Sequence, residues 1–275
     1  MTWDSALVPT SATGVYLSTG DFETIVHGLN AALGRMASDG GRQSLRTPPV
    51  IAREVIEKVG YHESFPHLLG RVFARADTGT TTESDLVLLP AGCYCVYPVY
   101  AGARLTAATE LSVEATCFRQ EADAEVGRLR SFRMREFVRL GTAEQCLTWR
   151  DNRLAAARDW LAELGLETVS EVASDPFFGS GNRMMRMLQM ERKLKIEVLA
   201  EVGPGQVQSI ASANYHTDKF GRLFAIVDPD GDVAHTACLA FGYERLALAM
   251  MHRHGANAHR WPEEIRRAVG LGAAQ

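Results

Sequence analysis

The sequence predicts an α+β fold, a mainly antiparallel sheet flanked by helices. Two observations carry that expectation. Short apolar runs, "RVFARA", "DLVLLP", "LSVEATCF" and "FRMREFVRL", follow one another with little helical pattern between them, and a second series falls at about 168–173, 194–201, 206–213, 222–227 and 233–241. Strand and helix patterns do not alternate along the chain, which argues against a doubly wound parallel sheet. With 275 residues, 46% of them hydrophobic, the chain can bury one sizeable core.

Taken in order, residues 1–20 are small and polar and predict no firm element. From Asp21 the positions Phe22, Ile25, Val26, Leu29 and Leu33 recur at helical spacing up to "SDGG". The stretch 38–49, "SDGGRQSLRTPP", reads as a linker, and a short helix over 50–59 is closed by Gly60. The last two runs of the first series form an antiparallel pair. Thr142 opens a capping box, and Leu147, Leu154, Ala157, Leu161 and Leu164 line one helical face up to Gly165. "VDPDGDV" is a turn between the last two strands of the second series. A helix over 243–254 carries Leu246, Leu248, Ala249 and Met250, and "PEEIRRAVGL" after Trp261 predicts another. No repeat or low-complexity segment interrupts this order.

The charge balance, 29 basic against 33 acidic residues, gives no general affinity for nucleic acid. The opening "MTWDSALVPT" has neither a cationic nor an apolar signal region, and no apolar run is long enough for a membrane helix. The expectation is a cytoplasmic protein, with no membrane partner, whose five cysteines are thiols or metal ligands.

One stretch departs from the even balance. "CFRQEADAEVGRLRSFRMREF", 117–137, holds five arginines and four acids. Arg119 and Glu121 point one way from the first strand, Phe132, Met134 and Glu136 share a face of the second, and the loop supplies Arg128 and Arg130. Guanidinium, carboxylate and aromatic ring on one face can hold a nucleotide, because arginine forks phosphate oxygens and phenylalanine stacks on a base. A solvated, salt-bridged hairpin would carry the same residues.

"CFRQE…RLRSF…E" resembles motif 2 of class II aminoacyl-tRNA synthetases, and "CLAFGYERLALAM" resembles motif 3. "PPVIAREVIEKVGYHESFPHLL" is similar to motif 1, and "LKIEVLAEV…SIASANYH" to the seryl-type segment between motifs 2 and 3. Together they cover roughly 48–255. "SFRMREFVRLGT" and "DPFFG" narrow the resemblance to the amino acid:[carrier protein] ligases, seryl-tRNA synthetase relatives without the tRNA-binding arm. The resemblance implies a class II catalytic domain over 48–275 after an N-terminal segment, 1–47, with one helix. It implies a homodimer through motif 1, no tRNA, and a carrier protein whose phosphopantetheine thiol accepts an aminoacyl group. Arg119 would be the catalytic residue, meeting the α-phosphate and the substrate carboxylate. Glu121, Arg128, the Leu129 backbone, Phe132, Lys195, Ser209 and Arg245 would bind ATP. In this chain Ala240 and Gly242 stand where motif 3 has paired glycines, and Gln208 replaces a carboxylate that helps bind magnesium.

The same resemblance implies zinc on Cys93, Glu136 and Cys238, with Glu136 reaching the substrate amino acid through the metal. Cys95 is the alternative first ligand, because in "AGCYCVYP" a strand would put both thiols on one face. Cys117 and Cys146 read as structural. His252 and His254 read as helix-end caps, and His216 and Asp218 lie near the presumed site. Gly141 beside the pocket, with zinc filling volume, implies a small amino acid, glycine or alanine before serine. The expected activity is ATP-dependent formation of an aminoacyl-adenylate and transfer to the carrier thiol. The alternatives are a regulatory amino-acid-binding paralogue and a minimal aminoacyl-tRNA synthetase.

Overall fold

The computed structural model describes residues 6–38, 43–75, 77, 79–121, 125–179 and 183–271. A hairpin, β1 (Leu7–Pro9) with β2 (Tyr16–Ser18), leads into helix α1 (Gly20–Ser38). Then come β3 (Gln43–Arg46), β4 (Val50–Ala52), α2 (Arg53–Lys58), α3 (Tyr61–Ser64), β5 (Arg71–Arg75) and β6 (Thr81–Leu88). The arginine-rich pair is β7 (Thr109–Phe118) and β8 (Ser131–Gly141), antiparallel over their full length. After α4 (Ala143–Glu163) follow β9 (Val169–Val172), α5 (Arg183–Glu191), β10 (Lys195–Gly203) and β11 (Gln206–Thr217). The order ends with α6 (Lys219–Phe224), β12 (His235–Gly242), α7 (Tyr243–His254) and α8 (Glu263–Ala268).

Seven strands make the main sheet, in the order β3-β7-β8-β12-β11-β10-β9, and only β3 runs parallel to its neighbour. One face carries α1, α4, α7 and α8, whose Phe22, Leu29, Leu161, Leu246 and Ile265 share a single hydrophobic cluster with the sheet. The other face carries a second cluster, built with two 3-10 helices (Gly92–Cys95 and Tyr97–Tyr100) and α6. The second sheet, β4-β6-β5, stands apart from the first. Thr142 caps α4 reciprocally with Gln145, as its sequence predicts, and Gly165 follows with φ 74°.

Several elements correct the sequence reading. Residues 1–20 hold the β1–β2 hairpin, and the expected linker contains β3, a polar strand accepted by the edge of β7. The first half of the expected strand over 222–227 is the end of α6, so "VDPDGDV" joins a helix to β12, with one bridge from Val227 to Val233. That turn is held by Asp228 Oδ1, which accepts the N–H groups of Asp230, Gly231 and Asp232 at 2.9–3.0 Å. On α4, Leu147 faces out and Cys146 takes its place in the core. His254 bonds the carbonyl of Leu164, at 2.8 Å, so it caps α4 and not its own helix, while His252 pairs with Glu201. Among the described residues no helix is long and apolar enough to cross a membrane.

Candidate active site

Alternation along β8 turns Phe132, Met134 and Glu136 to one face, and there they line a cavity of about 480 Å³. Cys93, Arg119, Glu121, Leu129, Lys195, Ser209, Cys238 and Arg245 line the same cavity. The fold thus gathers every expected site residue but Arg128, which lies beside it. The Arg128 guanidinium donates to Glu125 at 2.8 and 3.0 Å and to Glu121 at 3.5 Å. Gln208 also donates to Glu125, at 2.9 Å. Gly141 does not line the cavity: it sits at the far end of β8 against Ala108 and Gln145, so it sets no pocket size.

Each cation in the cavity is held differently. Arg119 donates to the Pro90 carbonyl at 3.2 Å and lies over the Phe132 ring, 5.2 Å from its centroid. Arg245 rises from the first turn of α7 and donates to the carbonyls of Gly127 at 2.9 Å and Ser209 at 3.1 Å. Burial, then the neighbouring Arg128 and Arg119 charges, push its guanidinium down to about 10. An arginine so placed gains most from an added anion. Lys195 is paired to Asp175 at 2.8 Å and Glu197 at 2.9 Å. Asp175 is the functional candidate that sequence reasoning left without a role. It also accepts from Gln189 of α5 at 2.7 Å, and its only signal was "DPFFG".

Cys93, Glu136 and Cys238 are buried, and their ligand atoms all lie within 4.8 Å of one another. They come from three places: the first 3-10 helix, the middle of β8, and β12, where Cys238 pairs with Val138 two residues from Glu136. Cys95 is absent from the group. In a 3-10 helix residues two apart diverge by about 240°, so the strand argument for a shared face fails here. The Cys93 thiol donating to Cys238 holds Cys93 well above and Cys238 well below the usual thiol range. Burial, then the Cys238 sulfur, pushes Glu136 up to about 8. Two sulfurs and a carboxylate are donors that zinc takes, and a dication among them would offset the cost of burying three acids together. The donor set fits. Cys117 and Cys146 are buried, as their sequence context implies, and neither is among the three; the Cys117 sulfur packs against Met134 Sδ at 3.3 Å.

No protein-family model matches the sequence. "Amino acid--[acyl-carrier-protein] ligase 1" of Bradyrhizobium diazoefficiens is 40% identical over 279 residues, covering 94% of this chain and 85% of the relative. The chain belongs to the amino acid--[acyl-carrier-protein] ligase family. It is, accordingly, a ligase. Ligase 2 of the same organism is 38% identical over 94% of the chain and 83% of the relative. A type-2 serine–tRNA ligase of Methanococcus maripaludis is 30% identical over 150 residues, 52% of this chain and 29% of that one. Among solved structures, the M. kandleri seryl-tRNA synthetase bound to A. aeolicus tRNASec superposes with a TM-score of 0.83 at 18% identity over 99% of this chain. The seryl-tRNA synthetase of Pyrococcus horikoshii complexed with ATP gives 0.71 at 19% identity over 94% of it. The ligase chain spans 60% and 58% of those two structures, and shares with them the class II synthetase fold.

Proposed function

We propose that this ligase uses ATP to activate a small amino acid, glycine or alanine before serine, and passes it to the phosphopantetheine thiol of a carrier protein. The observation that carries the reading is the shared cavity: Arg119, Phe132 and Arg245 line it together with Cys93, Glu136 and Cys238. Four residues of strand, about 13 Å, separate Phe132 from Glu136 along β8. That spacing accommodates a nucleotide and an amino acid side by side.

In the first step an oxygen of the amino-acid carboxylate attacks the α-phosphorus, and pyrophosphate leaves. Arg119 offsets the negative charge that develops there, and Phe132 stacks on the adenine. Arg245 and Arg128 orient the triphosphate, with magnesium as counter-ion, and Glu121, Lys195, Ser209 and the Leu129 backbone complete the contacts to ATP. Cys93, Glu136 and Cys238 would hold a zinc ion whose remaining coordination position takes a neutral α-amino group. In the second step the carrier thiol sulfur attacks the acyl carbon, AMP leaves, and the thiol proton is lost to solvent. No side chain becomes covalently linked to substrate.

We assign the catalytic unit to 48–275, a homodimer in the cytoplasm. Phe73 and Leu86, exposed on the β4-β6-β5 sheet, are apolar surface of the kind that a second copy covers. The test is amino-acid-dependent ATP–pyrophosphate exchange across the twenty amino acids, with metal content measured on the same sample. Exchange with one or two small amino acids at about one zinc per chain is expected. Folded, zinc-loaded protein that exchanges with none would overturn the reading.

A further inference from the structure

His216, near the end of β11, lines the cavity but has no part in the chemistry above. Its Nε2 lies 3.7 Å from the Cys238 sulfur, and its Nδ1 lies 3.1 Å from Thr236 Oγ1 and 3.3 Å from the Tyr97 hydroxyl. Tyr97 and Thr236 are fully buried. Tyr97 is stacked on Phe220 with centroids 4.1 Å apart, so its hydroxyl is fixed in place. Asn214 approaches the same sulfur, with Nδ2 at 3.4 Å.

The hydrogen-bond inventory of these groups orders the arrangement. Hydroxyls can donate to Nδ1, and a neutral imidazole that accepts there carries its proton on Nε2. That proton faces Cys238. With that tautomer, two N–H donors, from Asn214 and His216, converge on one sulfur. His216 is itself outside the set of ligand atoms that lie within 4.8 Å of one another. Two donors on one zinc, with bonds of about 2.1 and 2.3 Å, cannot be farther apart than about 4.4 Å. The imidazole lies beside the ligand set and not in it.

We propose that His216 is a positioning residue, which orients and stabilises the Cys238 thiolate as a metal ligand. The chain of contacts gives it a second effect. Tyr97 follows Cys93 by four residues, on the next 3-10 turn, and Thr236 precedes Cys238 by two on β12. His216 thus ties the segment bearing the first thiol to the strand bearing the second. Groups that hydrogen-bond a ligand atom without touching the metal change metal affinity by about 10–100-fold. The inference rests on the zinc reading of Cys93, Glu136 and Cys238.

Zinc affinity, measured by competition with a chromophoric chelator, tests it without reference to activity. His216→Ala should weaken zinc binding about 10–100-fold, while His216→Gln, whose amide can place an N–H near the position of Nε2, should recover most of that loss. In cobalt-substituted protein the thiolate-to-metal charge-transfer band should shift in His216→Ala and return in His216→Gln. A His216→Ala protein that keeps the wild-type circular dichroism, zinc affinity and cobalt band overturns the proposal. So does an equal loss in both variants, because the donated proton then contributes nothing. Tyr97→Phe, which removes one hydroxyl and almost no volume, should weaken zinc by less than His216→Ala, and a larger effect would make Tyr97 the brace instead. Wild-type protein that takes up no zinc refutes the metal site itself, a result distinct from any of these.

Discussion

Arg119 and Arg245 differ in what compensates them, and that difference sets what their loss should do. Arg245 is half-buried beside the Arg128 and Arg119 guanidiniums and donates to the neutral carbonyls of Gly127 and Ser209. In the empty protein its removal relieves the cost of burial and the repulsion from Arg128 and Arg119, which outweigh the attraction of Glu121 and Glu197, and the larger attraction is lost only when a polyphosphate is present. Arg245→Ala should therefore leave the melting temperature equal to or above wild type while lowering the exchange rate by about 100-fold or more. A parallel fall in both would make it a structural residue. Arg119→Ala should abolish exchange without unfolding the chain, and retained exchange would sink its role at the α-phosphate. Arg119 was legible in the sequence because five arginines crowd one hairpin, whereas Arg245, in the first turn of α7, was brought in only by the resemblance to motif 3. The proposed metal ligands were not legible in this way, since Cys93 and Glu136 are 43 residues apart and only the resemblance brought them together. The choice between Cys93 and Cys95 hung on local backbone. A strand would aim both thiols alike, whereas the observed 3-10 turn separates them.

At the scale of elements, the sequence was most readable where packing and propensity agree. Helix α7 ends where its apolar period ends, and α4 starts at its capping box; Thr142→Ala should cost about 1 kcal/mol in denaturant unfolding. Reading failed where context overrode pattern. Strand β3, "QSLR", is polar and exists because β7 offers a free edge, while α6 is a short apolar run whose helical turn is set by packing under β12. The N-terminal helix is tied to the site by an interaction that periodicity cannot reveal. Arg133 on β8 donates to Glu23 of α1 at 2.7 and 2.8 Å, and to Glu244 of α7 at 2.7 Å. The hydrogen bonds from Arg133 hold the Glu23 carboxyl below its unfolded value of 4.5. Since the folded pKa is the lower one, the stabilisation is complete above pH 4.5 and disappears as pH falls through the folded pKa. Glu23→Gln should therefore be less stable than wild type by about 1–2 kcal/mol at pH 7, with the difference shrinking below pH 4.5. Urea melts at pH 7 and pH 3 measure it; a gap that widens on acidification contradicts the assignment.

Across the whole molecule, the main sheet separates two hydrophobic clusters, and the cavity opens on the face that carries the smaller one. Glu136 sits where these facts meet. It is in the middle of β8, the third strand of seven, with Cys238 on the adjoining β12 and Cys93 on the turn that closes over the sheet. A metal bound there would join the central strands to the segment leading out of the second sheet, and would bind only the folded chain. Linkage then sets the size of the effect: zinc at 100 times its dissociation constant stabilises by about 3 kcal/mol. For a chain of this size, that corresponds to a shift in melting temperature of about 5–10 °C. Stripping the metal with a chelator should lower the melting temperature by that amount, and added zinc should restore it. The geometry also says which thiol matters. Cys93→Ala should remove the zinc-dependent shift, and Cys95→Ala should preserve it, because only Cys93 lies within reach of Glu136 and Cys238. If both variants keep the shift, the metal is elsewhere; if Cys95→Ala alone loses it, the turn presents the other thiol in solution.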